Sequence, residues 1–295
     1  MPSNGCSAAR PRVKLPYWAI AASVVLGTVT ALGVPPAPAV TAAAPAPVTV
    51  TVTTANVKVT LGPAQARADV ARATGSSSVV LLQEFWKRRA ASYVPAGWNV
   101  FHPSTPTAGC RDNAIAWRRD TWRLVRGYGF RVHYVAGLVG NCVAVAILEH
   151  RTTGQLLPVI GVHMLPHVEV AGHPRDLPRV FTYHAAIDRL YTRANLVWEK
   201  RGRVLLGGDW NVDGPADGRV RSGLFPWRHF HSLFDSAWGT LPATAPTLGR
   251  RRIDGFWWSD NADVPGAAHV RPVAARTVRG TYSDHNFERV TFRLG

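Results

Sequence analysis

Val204-Leu205-Leu206-Gly207-Gly208-Asp209-Trp210-Asn211 is a short apolar run closed by two glycines, a carboxylate and a carboxamide. The apolar part reads as a buried strand, and residues two apart on an extended backbone point the same way. Asp209 and Asn211 can therefore share one site. The first takes a proton or a cation, and the second donates N–H bonds to an anion. The glycines let another segment approach the backbone closely. Such residues also build ordinary turns, so this stretch gains meaning only from its neighbours.

Upstream of it, Val180, Tyr183, Ile187, Leu190, Ala194 and Val197 recur at helical spacing as far as Gly202, marking the longest helix. Before a polar loop from His167 to Pro178, Val159-Ile160-Gly161-Val162 delivers His163 to a strand end. Strands are also expected over Asn113–Trp117, Trp122–Val132, Cys142–His150 and Leu156–His163, the last two joined by a Thr153-Gly154 hairpin. Nearer the N-terminus, Val48–Thr60 is β-rich and contains Asn56. Pro63–Ala73 reads as a helix ending at Gly75, and Val79–Leu82 as a strand running into Gln83-Glu84.

Downstream of Asp213 lies an irregular aromatic segment (Phe225, Trp227, Phe230, Phe234, Trp238). Arg250–Trp258 then reads as a strand with Asp254 inside an apolar setting. Val270–Val278 and Phe287–Leu294 are the last strands, with Thr281-Tyr282-Ser283-Asp284-His285 between them. Strands predominate, clean βαβ alternation is rare, and no internal repeat is evident. The pattern predicts two packed sheets with helices outside.

The chain has 295 residues, a hydrophobic content of 46% and 11 Trp, enough for a large core. Its formal charge is +16. Residues 1–46 supply only Arg10, Arg12 and Lys14, leaving 31 basic against 18 acidic residues, or +13. Such a field favours polyanions, nucleic acid first among them. Residues 1–47 read as an export segment with a Pro/Ala-rich linker, and 48–295 as the folded domain. The three basic residues flank an uncharged run from Leu15 to Val34 that serves either as a cleaved signal or as an uncleaved membrane anchor. Either way the domain lies outside. Cys6 precedes the run. Cys110 and Cys142 remain, a pair suited to one disulfide in an oxidising compartment or to two buried thiols.

The polar residues at strand ends are Asn56, Glu84, His163, Asp209, Asn211, Asp254, Asp284 and His285. Oxygen donors such as Glu84, with Asn56 and Asp284, suit a hard Mg²⁺-like ion, since no thiolate or multi-histidine set accompanies them. His285 with Asp254 makes a general base or a charged phosphate clamp.

In order, Asn56, Gln83-Glu84, Gly161-Val162-His163, Gly208-Asp209-Trp210-Asn211, Arg252-Ile253-Asp254 and Ser283-Asp284-His285 resemble the endonuclease/exonuclease/phosphatase superfamily, with its DNase I-like fold. The resemblance spans Val50 to the C-terminus. It implies an α/β fold, a four-layer α-β-β-α sandwich of two mostly antiparallel sheets with the active site at one edge. It also implies a metal-dependent phosphoesterase. Glu84 would hold the divalent ion (Mg²⁺, or Mn²⁺, with Ca²⁺ also compatible), with Asn56 and Asp284 nearby. His163, Asp209, Asn211, Asp254 and His285 would be catalytic, with Asn211 also touching the phosphate. His163 matches a histidine of the DNase I-like, sphingomyelinase-like and inositol-phosphatase-like branches. The apurinic-endonuclease branch lacks it. In DNase I-like members an acidic residue at the start of a mid-chain strand holds that histidine; Asp112, or failing it Asn113, occupies that place here, and a Cys110–Cys142 bridge would rigidify it.

Basic loops at Arg118/Arg119 and Arg250–Arg252 are expected near the site, with Arg118 and Arg252 touching substrate. The reading that follows is an exported monomeric nuclease with no protein partner. Its rivals are a sphingomyelin, phosphoinositide or soluble phosphoester hydrolase of the same superfamily, and a silent binding module.

Overall fold

A computed structural model describes residues 46–103, 110–133, 142–170, 173–174, 177–214, 234–236, 245–259 and 269–295. The N-terminal stretch read above as an export segment, apart from its last two residues, and most of the aromatic segment after Asp213 lie outside them. Along the chain come β1 (Val48–Asn56), α1 (Pro63–Thr74), β2 (Val79–Gln83), β3 (Trp98–Phe101), β4 (Ala114–Arg118), β5 (Trp122–Arg131), β6 (Cys142–His150) and β7 (Leu156–His163). A two-residue pair, β8 (Glu169–Val170) and β9 (His173–Pro174), leads to α2 (Leu177–Arg201). Then follow β10 (Leu205–Asp209), β11 (Phe234–Ser236), β12 (Asp254–Ser259), β13 (Val270–Val278) and β14 (Phe287–Leu294). Among the described residues no helix is long and apolar enough to cross a membrane.

Two six-stranded sheets result, one ordered β13-β14-β1-β2-β4-β3 and the other β11-β12-β10-β7-β6-β5. Side-chain alternation explains their stacking. Val79 and Leu81 of β2, Ala144 and Ala146 of β6, Val159 of β7 and Leu205 of β10 enter one core shared by the two sheets. The intervening Val80 and Leu82 face outward onto Ala66, Val70 and Ala73 of α1. Val143, Ile160 and Leu206 face outward onto Tyr183, Ile187 and Leu190 of α2. Strands buried on both faces read as continuous apolar runs, as these do. The product is the expected helix-sheet-sheet-helix sandwich.

Two details differ from the sequence reading. Each sheet has one parallel pair at its centre, β1 with β2 and β7 with β10, each pair joined by a helix. The two βαβ units escaped notice because short strands and a long intervening loop blur the alternation. The second detail concerns Arg250–Trp258. Only Asp254 onward is strand, because Leu248 and Arg251 close a turn and the Thr247 hydroxyl takes the N–H groups of Ile253 and Asp254. Val48–Thr60 likewise leaves the sheet at Asn56, where the segment turns.

The parallel pairs place four strand C-termini at one edge. Asn56 lies beside Gln83, and His163 beside Asp209. Antiparallel β12 starts at the same edge, with Asp254 opposite Asp209. Gly207 and Gly208 permit this convergence. A Cβ on Gly207 would lie 2.5 Å from Phe256 and 2.6 Å from Leu81, closing the space between sheets. Gly208 has φ 154°, and a Cβ there would lie 1.9 Å from the Val162 carbonyl oxygen of β7. That contact is impossible. Gly208→Ala should therefore cost roughly 3 kcal/mol of stability and part Asp209 from His163. Denaturant titration measures the first effect; an unchanged midpoint would refute this account of the glycine.

Candidate active site

Asp209 ends β10 buried, and its two oxygens have different neighbours. Oδ1 accepts the Asn211 backbone N–H at 2.8 Å, which closes the turn. Oδ2 accepts Asn56 Nδ2 at 3.0 Å across the gap between the sheets. The same Oδ2 lies 3.5 Å from His163 Nε2 and 3.9 Å from His285 Nε2. Each imidazole is backed by its own carboxylate, His163 Nδ1 by Asp112 at 2.7 Å and His285 Nδ1 by Asp254 at 2.8 Å. Two histidine–aspartate pairs thus face one another across one carboxylate oxygen.

Local structure explains the placement. Asp112 precedes β4 and sits near the Cys110–Cys142 disulfide, whose Cα atoms are 4.6 Å apart. Its carbonyl takes the Phe85 N–H, fixing it to the loop after β2. Asn113, the alternative partner for His163, instead donates Nδ2 to the Cys142 carbonyl. Glu84 and Asn211 carry left-handed backbones, with φ 64° and 57°. That conformation is unfavourable for glutamate and held only by its surroundings. Here Arg88 provides them, donating to the carbonyls of Glu84, Val57, Lys58 and Leu61. The Val59 N–H donates to Glu84 Oε2.

Electrostatics follow from this crowding. Burial pushes the His163 pKa down, but Asp112, then Asp209 and Glu84, outweigh it and hold it at about 10. His285 likewise resists desolvation through Asp254, Asp209 and Asp284, reaching about 9. Asp254 is raised by burial, against the pull of His285, and further by Asp209. Both imidazoles are thus positive at neutral pH, donors to an anion.

Asn211 Nδ2 donates to the Met164 carbonyl at 2.9 Å, leaving its second N–H for a ligand. Asn56 Oδ1 is buried with no hydrogen-bond partner among the described residues. An orphaned oxygen at the end of β1, opposite the Gln83 that precedes Glu84, is what a hard divalent cation would satisfy, so the residues fit such an ion. Asp209, Asp254 and His285 also offer ligand atoms within 4.8 Å of one another. Asp284 stands at the rim, half-exposed, its Oδ2 2.9 Å from Lys58 Nζ.

The two arginines expected to touch substrate separate. Arg252 lies in the loop before Asp254, its N–H donated to Asp213 Oδ1. Arg118 is a correction. Its N–H bonds the Ser78 carbonyl at the start of β2, whereas Glu84 follows the other end of that strand. Antiparallel pairing of β4 with β2 carries Arg118 away from the site, and it pairs with Asp120 instead.

Sequence reasoning missed several supports. Asp69 accepts the N–H groups of Tyr282 and Ser283 and so seats the turn bearing His285. Its signal was available: an acid on the buried face of α1, between Ala66 and Ala73. Arg251 spans Glu169 Oε1 at 2.8 Å and the Asn211 carbonyl at 3.1 Å. Nothing distinguishes it from its neighbours Arg250 and Arg252 in sequence.

Since both imidazoles titrate above their ordinary 6.5 when folded, the native state holds more protons than the unfolded chain at alkaline pH. Their stabilisation is complete below about pH 6.5 and is lost as pH rises through about 9 and 10. Metal-free protein should lose several kcal/mol, on the order of 5, between pH 7 and 10. In His285→Gln the part ending near pH 9 should vanish. Urea titrations across that range measure it, and a rise in stability with pH would contradict the assignment.

Comparisons with known proteins agree with this architecture. The model of the endonuclease/exonuclease/phosphatase family matches residues 53–285. Among solved structures, an endonuclease/exonuclease/phosphatase family protein from Bacteroides thetaiotaomicron is 16% identical with a TM-score of 0.58, covering 85% of this chain and 96% of its own. D. rerio TDP2 complexed with single strand DNA product is 16% identical with a TM-score of 0.58, over 83% of this chain and 98% of its own. A mannosyl-6-phosphatase from Bacteroides thetaiotaomicron is 16% identical with a TM-score of 0.57, over 82% and 99% respectively. No curated protein sequence matches.

Proposed function

The chain belongs to the endonuclease/exonuclease/phosphatase family, and from that premise we propose that it is an exported, divalent-metal-dependent phosphodiester hydrolase acting on nucleic acid. The observation that carries this reading is the pair of imidazole N–H groups aimed at one oxygen of Asp209, each backed by a carboxylate. Two fixed cationic donors on either side of a carboxylate suit a phosphate centre, where charge builds on non-bridging oxygens during displacement. The resident ion, held by Glu84 and Asn56, would supply Lewis-acid neutralisation of that charge.

The chain's own groups do the rest. His163 and the free N–H of Asn211 bind and orient the phosphate. Asp209, held by N–H groups from the Asn56 side chain and the Asn211 backbone, would position an attacking water and take its proton. Asp254 keeps the Nδ1–H of His285 in place, so Nε2 faces the reacting phosphate as donor. Asp112 does the same for His163. Glu84 and the Asn56 oxygen complete an anionic pocket that a dication would neutralise. Nucleic acid is favoured over a small ester by the +13 charge of residues 47–295. Export rests on the N-terminal run and on the disulfide.

Purified protein from about Val48 onward is expected to cleave plasmid DNA or RNA with Mg²⁺ or Mn²⁺ and to stop with chelator. His285→Ala should lower the rate by about 10²–10⁴-fold. Turnover of sphingomyelin or of a sugar phosphate, with nucleic acid untouched, would keep the site and replace the substrate. A double-mutant cycle on Asp112 and His163 tests their pairing. Asp112→Ala and His163→Ala together should cost scarcely more activity than His163→Ala alone. Additive losses would sink the pairing.

A further inference from the structure

The loop that follows Glu84 walls a recess of about 540 Å³ that the mechanism above does not use. Its wall includes Trp86, Lys87, Arg89, His102 and Arg111, with no carboxylate among its lining residues. Two of these are tied to the site by the chain itself. Trp86 follows Glu84 by two residues, at most about 7 Å of extended backbone. Arg111 immediately precedes Asp112, which holds His163. The recess thus shares its loops with Glu84 and Asp112.

Its cations are uncommitted. Lys87, Arg89 and Arg111 are exposed, and none forms an ion pair among the described residues. Arg118 and Arg123, by contrast, are neutralised by Asp120 and Glu149. Arg88 also lines the recess, but its guanidinium is taken up by four backbone carbonyls. It serves as the rigid floor that fixes its neighbours. The Lys87 ammonium lies 4.5 Å from the centre of the Trp86 ring, a cation–π contact that narrows its range. His102 Nε2 donates to the Arg111 carbonyl at 2.6 Å, so Arg111 stands on a held backbone. Burial lowers the His102 pKa, leaving that ring neutral. Three cations on a braced frame, carried by loops that also carry Glu84 and Asp112, suit a second phosphate of the same polymer.

We propose that this recess binds the nucleic-acid strand next to the phosphodiester being cleaved, with Lys87, Arg89 and Arg111 meeting its phosphate and Trp86 forming the wall beside its sugar and base. This rests on the nuclease reading above and goes beyond it. It makes the enzyme one that senses polymer length, and it places the flanking nucleotide on the Glu84 side of the centre.

The test compares two double variants of the purified domain. Arg89→Gln/Arg111→Gln strips the recess. Arg193→Gln/Arg201→Gln removes the same charge from the outer helix α2 and serves as control. Both are assayed on a single-stranded oligonucleotide and on bis(p-nitrophenyl) phosphate, which is too small to span both places. The recess variant should keep its rate on the small diester within about twofold while its KM for the oligonucleotide rises at least about tenfold. The slope of log KM against log salt should fall by about 1.4, two single-strand contacts at about 0.7 each. The control should retain the wild-type KM to within a small factor. Equal KM values for wild type and recess variant would overturn the proposal while leaving the nuclease reading in place, and so would an equal loss in the control. Wild type that turns over the small diester but neither binds nor cleaves the oligonucleotide would remove both.

Discussion

A single carboxylate oxygen, Asp209 Oδ2, holds the edge of this molecule together. It meets Asn56 from the opposite sheet at 3.0 Å and faces both histidines. Those three residues come from positions 56, 163 and 285, and nothing local brings them near one another. The constraint that does so is topological. Two parallel strand pairs, one per sheet, both end at this edge, and the sheets pack face to face. Everything else in the site is arranged to let that oxygen be approached. Gly208 gives the room between β10 and β7, Thr247 seats the start of β12, and Asp69 holds the turn before β14.

The architecture was legible because it is written in apolar periodicity. Val79–Leu82, Cys142–His150 and Leu156–His163 have few polar interruptions, which is the mark of strands covered on both faces. The chemical residues were legible for a related reason: a carboxylate or histidine at the end of such a strand has no packing role there. The supports were harder. Arg88, Arg251 and Glu169 work through backbone carbonyls or through a partner far along the chain, and an arginine in a loop has the same letter whether it braces or binds. Arg118 shows the opposite error. Adjacency in sequence to Asp112 and Asn113 suggested nearness to the site, but a strand of five residues carries its far end about 13 Å away.

Charge within the site runs against charge over the surface. The chain as a whole is strongly basic, yet Asp112, Asp209, Asp254, Glu84 and Asp284 converge on two imidazoles and one lysine. This is why both histidine pKa values rise despite burial. The outer field would draw an anionic polymer in at long range, where salt screens it, while the inner carboxylates would repel the same polymer at short range. The two imidazolium donors offset part of that repulsion, and a divalent ion at Glu84 would offset the rest.

That division explains why the basic residues nearest the centre are worth more than their number. A phosphate at the imidazoles stands among carboxylates, so its grip there is set by a close balance of opposing terms. On the proposed reading, phosphates one step along the strand would meet no acid among the described lining residues. In the recess of Lys87, Arg89 and Arg111 attraction would be uncancelled, and on the proposed reading it would operate on the same molecule that the centre must hold. Linked contacts of this kind raise the effective concentration of the reacting phosphate without tightening the centre around it. Binding energy gathered at a neighbouring phosphate is then available to hold the reacting one in line, which is how a site crowded with negative charge can act on a polyanion.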